Sequence, residues 1–320
     1  MAERGVSILI PTHNRGAILD QTLRSLSELD VPPGLPVELV VVANACTDDT
    51  PARVLAWKGR MPFPIVLVEE PRTGLGFARN ACVAASRYDV CALLDDDVWV
   101  ERGWLRALAE IYASTPADMV AGRIELWWEV VERPNWLTPG MESTLSCLDL
   151  GPAVLEMRRP DAIGANFSFR RGVFDAAGPF RTDLDRMGGA LLGGGETMFI
   201  QEAFKRGFRL FYSPGASVKH WVAPHRVEEP YLTGVARGTA YSIIAVKDRF
   251  GALDAARAMG LGAARFLGHS ALAAAATLVG ARDQRMKSCV RRAIGQGQVL
   301  GALARIRRGP LGAPAGANRA

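Results

Sequence analysis

The sequence predicts an α/β protein: a Rossmann-like, mostly parallel sheet flanked by helices, with a helical extension at the C-terminal side. Three observations carry this expectation. Over the first 110 residues, short apolar runs rich in branched side chains alternate four times with stretches of helical spacing. The chain of 320 residues, 49% hydrophobic and 22% charged, can bury a large core, and long disorder is excluded for most of it. From about residue 232 the strand signals stop and the chain turns alanine-rich and helical.

The elements follow in order. Residues 6–11 form an apolar run ending at Pro11, a buried strand leading into a Thr-His-Asn-Arg-Gly loop. Residues 17–29 place Ile18, Leu19, Leu23, Leu26 and Leu29 at helical spacing. A second buried strand over 37–42 ends in a polar loop, after which Pro51 opens a helix to about Lys58. A third strand spans 65–68, residues 74–87 are a loop entering a helix, and the fourth strand is 90–94. These residues, 1–110, make a parallel, doubly wound half. The following half, 111–238, is mixed: strands at 123–131 and 163–170, a loop over 134–151, a glycine-rich loop over 188–195, a helix over 196–206, and short strands at 208–212 and 216–220. Residues 239–309 read as a basic helical extension and 310–320 as a disordered tail.

The fourth strand runs directly into Asp95, Asp96 and Asp97. Three carboxylates within ~5 Å repel by about 3 kcal/mol per pair at an effective dielectric near 20, so a fold that keeps them together has a use for them. A solvated turn or a helix N-cap is the plain alternative. The position favours a ligand, because open α/β sheets bind at the C-terminal ends of their strands. Hard oxygen donors suit Mg2+ or Mn2+ shared with substrate phosphates.

Composition narrows the rest. Five widely spaced cysteines without a C-x-x-C pair argue against zinc and for a reducing, cytoplasmic setting, and no charged-then-apolar signal precedes the first strand. The net charge of +5 is uneven: residues 282–320 hold nine basic residues against Asp283, or +8, which leaves −3 for the rest. Residues 266–281 form an uncharged stretch, too short as a helix (~24 Å) for a ~30 Å hydrocarbon core. With the basic residues after it, this stretch suits either an anionic membrane surface or a solvated cap on the domain. Nucleic acid is not an expected partner. A dinucleotide fingerprint fails, since Gly74-x-Gly76-x-x-Arg79 lacks its third glycine.

Taken together, Ser7-Ile8-Leu9-Ile10-Pro11-Thr12-His13-Asn14-Arg15, Thr47-Asp48-Asp49-Thr50, Gly74-Leu75-Gly76-Phe77-Ala78-Arg79-Asn80 and Leu93-Leu94-Asp95-Asp96-Asp97 resemble the family 2 inverting glycosyltransferases of GT-A fold. The segments around Asn166, Gly178-Pro179-Phe180, Gly195-Glu196-Thr197 and Val218-Lys219-His220 agree, so the resemblance covers roughly residues 6–237. It implies transfer of a sugar from a nucleoside-diphosphate donor to a hydroxyl-bearing acceptor (glycan, lipid-linked or specialised metabolite), with a divalent cation, Mn2+ or Mg2+. Polysaccharide biosynthesis is one implied setting. The resemblance assigns Pro11, Thr12, Asn14, Arg15, Asn44, Arg79, Asp95, Asp96 and Arg186 to the donor, and Asp97 and His220 to the metal. It makes Glu196 the base, and it puts Asn166 and Trp221 on the acceptor side. His220 also reads as a satisfied histidine at a strand end, and Glu196 as an acid serving a helix dipole.

Two departures from the pattern matter. Ala43 stands where relatives often have an aspartate on the uracil, with Asn44 the available substitute, and Glu196 stands without the acid that often precedes it. They keep open a degenerate sugar-nucleotide-binding or membrane-docked partner protein. A sugar nucleotidyltransferase is the other alternative, although its glycine-rich triphosphate loop is not matched by Pro11-Thr12-His13-Asn14. Arg186 and the glycine-rich loop suggest a lid over the donor.

Overall fold

A computed structural model describes residues 3–182, 195–245, 247 and 250–307. The elements in chain order are β1 (Glu3–Thr12), α1 (Gly16–Ser27), β2 (Val37–Asn44), α2 (Thr50–Ala56), β3 (Ile65–Glu70), α3 (Leu75–Ala85), β4 (Tyr88–Leu94), β5 (Val98–Val100), α4 (Trp104–Ser114), β6 (Met119–Trp127) and the single turn α5 (Pro139–Glu142). They continue with β7 (Leu155–Glu156), β8 (Asn166–Arg170), α6 (Arg171–Ala177), α7 (Gly195–Lys205), β9 (Leu210–Trp221), α8 (Glu229–Ala245), α9 (Ala252–Leu278) and α10 (Arg282–Arg307). The chain divides into two compact units. Among the described residues, one comprises those up to 132 with 139–182 and 195–223; the other comprises 133–138 and those from 224. The helical unit thus takes in all of α8, within which the sequence boundary at 238/239 falls.

The first unit is built on a sheet of order β3-β2-β1-β4-β8-β6-β9-β5, with β7 beside β9. The four strands of the first half are all parallel, and β1, β2 and β4 are buried along most of their length. Ile8, Leu9, Ile10, Leu39, Val40, Val41 and Val42 are fully buried, each worth roughly 1.5–3 kcal/mol relative to exposure. Leu19, Leu23 and Leu26 bury one stripe of α1, as their spacing requires. The mostly parallel character ends at β4, because β8 joins it antiparallel and β6 joins β8 antiparallel.

Two boundaries differ from the sequence reading. The strand expected at 123–131 begins at Met119, where Met119, Val120 and Ala121 pair with both β8 and β9. The two short strands expected at 208–212 and 216–220 are one strand, β9, with an irregularity: Gly122 pairs with Ser213 and Ile124 with Val218. Ser213 stays in the ladder, and residues 214–217 stand opposite Arg123 alone as a bulge within the strand.

The second unit is a helical assembly in which α10 packs on both α8 and α9. Glycines set its close approaches. A Cβ on Gly297 would lie 2.2 Å from the Arg237 carbonyl oxygen, and one on Gly295 would lie 2.6 Å from that of Gly262. Among the described residues no helix is long and apolar enough to cross a membrane.

Candidate active site

The ends of β1, β2 and β4 bring three polar loops together. After β1 the chain makes a left-handed turn at Asn14 (φ 51°), a conformation asparagine tolerates well. The Asn14 side chain ties this loop to the next: Oδ1 accepts from Thr47 N at 2.7 Å and Asp48 N at 3.3 Å, and Nδ2 donates to Thr47 Oγ1 at 3.2 Å. Ala45, at φ 48°, is also left-handed and marks the β2 loop as locally strained. Asn44 is buried and fastens β2 to the loop before α3. Its Nδ2 donates to the Glu70 and Arg72 carbonyls (3.1 and 2.7 Å), and its Oδ1 accepts from Gly74 N at 2.9 Å. The side chain suggested as a reader of the nucleotide base is therefore occupied in loop construction. Gly74 itself, at φ 144°, adopts backbone that favours glycine.

The three aspartates play different parts. Asp96 is buried and turned under the loop: its Oδ2 accepts from Thr12 Oγ1 at 2.7 Å, and Arg15 Nη1 lies 3.1 Å from its Oδ1. Burial, with Asp97 adding repulsion, pushes the Asp96 carboxyl up to about 7, while Arg15 and the Thr12 hydroxyl pull it down. Asp97 is buried too. Arg15 Nη2 donates to its Oδ2 at 2.7 Å, and His220 Nε2 lies 3.3 Å from its Oδ1. Asp95, half-buried, completes a cluster: Asp95, Asp97 and His220 each offer a ligand atom within 4.8 Å of the others. Arg15, which faces both buried carboxylates, has its own pKa raised well above the ordinary value despite the opposing cost of burial.

The framework explains this convergence. Thr22, inside α1, donates to the Asp96 carbonyl at 2.9 Å and accepts from Val98 N at 3.2 Å, so it pins the turn between β4 and β5. Val98 pairs with His220 across the β5–β9 ladder, and Trp221 N donates to the Asp97 carbonyl at 2.9 Å. His220 therefore arrives beside Asp97 by strand register. Asn166 holds the bulge that sets this register. Its Nδ2 donates to the Arg123 and Ala216 carbonyls (2.9 and 2.8 Å), and its Oδ1 accepts from Trp104 Nε1 at 2.9 Å. A Cβ on the adjacent Gly122 would come within 2.1 Å of Asn166 Nδ2. Expected on the acceptor side, Asn166 is buried with its side chain committed to the protein.

Glu196 stands in the first turn of α7, where Arg79 Nη1 donates to its Oε2 at 2.7 Å. Arg79 is 3% exposed and Glu196 keeps about a quarter of its side chain open to solvent. The base candidate and the donor candidate are thus one ion pair. A group of phenylalanines fixes it: Phe199 of α7 packs on Phe180 with ring centroids 4.5 Å apart and on Phe169 at 5.0 Å. Arg79 lies over Phe180, and Asn80 exchanges two 2.9 Å hydrogen bonds with the Phe180 backbone. Pro11 is buried within β1. Trp221 is half-buried at the end of β9, opposite Trp127, which in turn meets Trp99 at 5.9 Å. Arg186 and the glycine-rich stretch 188–194 lie outside the described residues.

Sequence reasoning missed Thr22, Trp99 and Trp127. A hydroxyl on the buried stripe of an amphipathic helix, between Leu19 and Leu23, was the available signal for Thr22. Trp99 follows the aspartates by two residues and Trp127 is visible only through strand pairing.

A model of the Glycosyl transferase family 2 matches residues 7–178. The succinoglycan biosynthesis protein ExoM of Rhizobium meliloti (strain 1021) is 30% identical over 216 residues, 67% of this chain and 66% of that one. The glucosyl-dolichyl phosphate glucuronosyltransferase of Haloferax volcanii is 26% identical over 201 residues, 62% of this chain and 63% of that one. The chain thus spans just under two thirds of the length of these curated relatives. Among solved structures, the mannosyltransferase PcManGT from Pyrobaculum calidifontis, in complex with GDP-Man and Mn2+, is similar at TM-score 0.61 and 20% identity, over 96% of this chain and 88% of that one. S. aureus TarS 1-349 in complex with UDP gives 0.54 at 15% identity over 90% of each. The fold is of the GT-A type, and the chain belongs to glycosyl transferase family 2.

Proposed function

We propose that this protein is a metal-dependent inverting glycosyltransferase that moves a sugar from a nucleoside-diphosphate donor to a hydroxyl of a glycan, lipid-linked or specialised-metabolite acceptor. The observation that carries the reading is the convergence of Asp95, Asp97 and His220 within 4.8 Å at the C-terminal end of β4. Two carboxylates and an imidazole are a donor set that suits Mn2+ or Mg2+. Such a cation, when bound, offsets the charge of the leaving diphosphate. Manganese, which accompanies GDP-Man in the Pyrobaculum protein, is the first cation to test.

The residues of the chain divide the remaining work. Arg15, fixed by Asp96 and Asp97, adds fixed positive charge on the donor side. Glu196, oriented by Arg79, accepts the proton of the acceptor hydroxyl as its oxygen attacks the anomeric carbon. The bond from that carbon to the diphosphate breaks on the opposite face, which inverts the configuration. Asn14 and Asn44 support the donor site by shaping its loops. The enzyme works in the cytoplasm, with peripheral contact to the inner face of the membrane through its basic C-terminal helices.

The test is a thermal-shift panel of UDP, GDP, TDP and CDP sugars with and without MnCl2, on the natural chain and on Asp97→Ala. Cation-dependent stabilisation by one nucleotide class, absent from Asp97→Ala, is expected; equal responses in the two proteins sink the reading. Glu196→Gln is expected to keep donor binding and lose at least about 100-fold in transfer.

A further inference from the structure

We infer that the outward face of α9, together with the cationic start of α10, is a docking surface for a bilayer containing anionic phospholipid. The inference names the surface for the membrane contact proposed above. Its bearing on the acceptor rests on the transferase reading, but the surface itself is argued from these helices alone.

α9 is 27 residues long, about 40 Å. Ala255, Gly262, Ala273 and Ala276 turn inward, and the opposite side carries large apolar side chains in the open. Leu261 is 63% exposed and Leu267 is 67% exposed, and at the end of the helix Leu278 and Val279 reach 88% and 77%. Large apolar side chains left exposed along one helix in this way mark an interaction site.

The polar groups on this stretch indicate which partner. From residue 260 to 279 the sequence has one charged side chain, Arg265, and its Nη1 donates to Gln298 Oε1 on α10 at 2.6 Å. Ser270 Oγ donates to the Phe266 carbonyl at 2.7 Å, and Thr277 Oγ1 to the Ala273 carbonyl at 2.8 Å. Burial, helped by Arg291 and Arg265, keeps the His269 imidazole below its usual range and so neutral. The arginine and both hydroxyls of the stretch therefore already have partners within the helices. A protein partner is normally met with hydrogen-bonding groups around an apolar centre. Hydrocarbon offers none, and a stretch whose arginine and hydroxyls are already paired within the helices matches it.

Charge supplies the second argument. The exposed Leu278–Val279 tip is followed at once by α10, whose first eleven residues hold Arg282, Arg285, Lys287, Arg291 and Arg292 against Asp283. Arg285 is paired with Glu229 at 2.7 Å, while Arg282 and Arg291 are exposed. An apolar face next to exposed cations is the pattern of helices that lie in the headgroup region of anionic membranes.

The experiment is sedimentation of the full chain with vesicles of phosphatidylcholine alone or with 30% phosphatidylglycerol, at low and high salt. Binding to the anionic vesicles, weakened by salt and at least about tenfold weaker on the neutral ones, is expected. Leu267→Glu/Leu278→Glu should abolish it, and Arg282→Ala/Arg291→Ala should weaken it about thirtyfold. These positions are exposed, and unchanged melting temperatures will show that the variants fold. No binding by the natural chain, or equal binding to both vesicle types, overturns the proposal. Light scattering that finds a dimer dispersed by Leu267→Glu/Leu278→Glu, with no vesicle binding, assigns the face to a second copy and also overturns it. No donor or acceptor is needed for these readouts, so their failure leaves the transferase reading standing, and failure of transfer leaves the surface standing.

Discussion

Replacing Arg15 by alanine would isolate what holds the aspartate cluster together. Arg15 lies 2.7 Å from Asp97 and 3.1 Å from Asp96, whose side chains are 1% and 7% exposed. Removing one partner of a fully buried ion pair costs about 3–5 kcal/mol, because a charge is left without compensation. Arg15 itself is 35% exposed, so solvent screening reduces the figure, and we expect about 2 kcal/mol. For a unit of this size that corresponds to a fall in melting temperature of about 4–8 °C, readable by calorimetry without added metal. A cation bound by Asp95, Asp97 and His220 supplies part of the missing charge. MnCl2 should therefore stabilise Arg15→Ala more than the natural chain and close roughly half of the deficit. A variant that melts with the natural protein, or a deficit that manganese leaves unchanged, would refute the claim that one electrostatic balance joins Arg15 to the metal candidates.

Three further outcomes follow from the geometry. Asn166→Ala removes three hydrogen bonds, two buried (to Trp104 and Ala216) and one part-buried (to Arg123), and should cost about 3 kcal/mol in urea denaturation; a variant of unaltered stability with only a raised acceptor KM would return Asn166 to the acceptor side. Gly297→Val drives a side chain into the Arg237 carbonyl, so the helical unit should lose about 1–3 kcal/mol, and an unchanged denaturation midpoint would contradict the packing of α10 on α8. Arg72 holds the Glu70 carboxyl down at about 2, so this ion pair contributes fully above the unfolded value near 4.3 and is lost as pH falls towards 2. Arg72→Ala should shift acid unfolding to higher pH, and identical acid transitions would exclude the contribution.

The parallel half of the sheet was legible because both faces of β1, β2 and β4 are covered. A strand in that position must be predominantly apolar, and residues 6–11, 37–42 and 90–94 are so, the two polar exceptions, Ser7 and Glu38, being hydrogen-bonded to each other at 2.7 Å. The aspartates were legible because charge repulsion makes a carboxylate trio costly wherever it occurs. Their division of labour was not. Asp96 turns inward because Thr12 and Arg15 meet it there, and those partners come from a loop more than 80 residues earlier. The continuity of β9 was hidden by Pro214 and Gly215, residue types that favour turns, which here lie in a bulge braced by the Asn166 side chain at the Ala216 carbonyl. The packing of the second half of α10 was also invisible, since beyond Met286, Cys289 and Val290 its buried residues include Gly295, Gly297 and Gly301, and no large apolar side chain. Periodic hydrophobicity reports burial of side chains and is silent where backbone meets backbone.

The same contrast explains how the site can be both crowded with charge and stable. Asp96 is held by Thr12 and Arg15, and Asp97 by Arg15 and His220, so each buried carboxylate has a compensating partner from a different strand end. Asp95 is only half-buried, and its repulsion is relieved by water. A divalent ion entering between Asp95 and Asp97 would therefore find one ligand that must shed water and another already desolvated and oriented. That asymmetry favours an ion that retains some of its own waters and shares the rest of its sphere with phosphate oxygens, over one that demands a complete protein cage. It follows that cation and nucleotide should bind with positive coupling: each ought to tighten the other, and by reciprocity to the same factor. The thermal-shift panel contains this measurement, since stabilisation by cation and sugar nucleotide together should exceed the sum of the two taken singly.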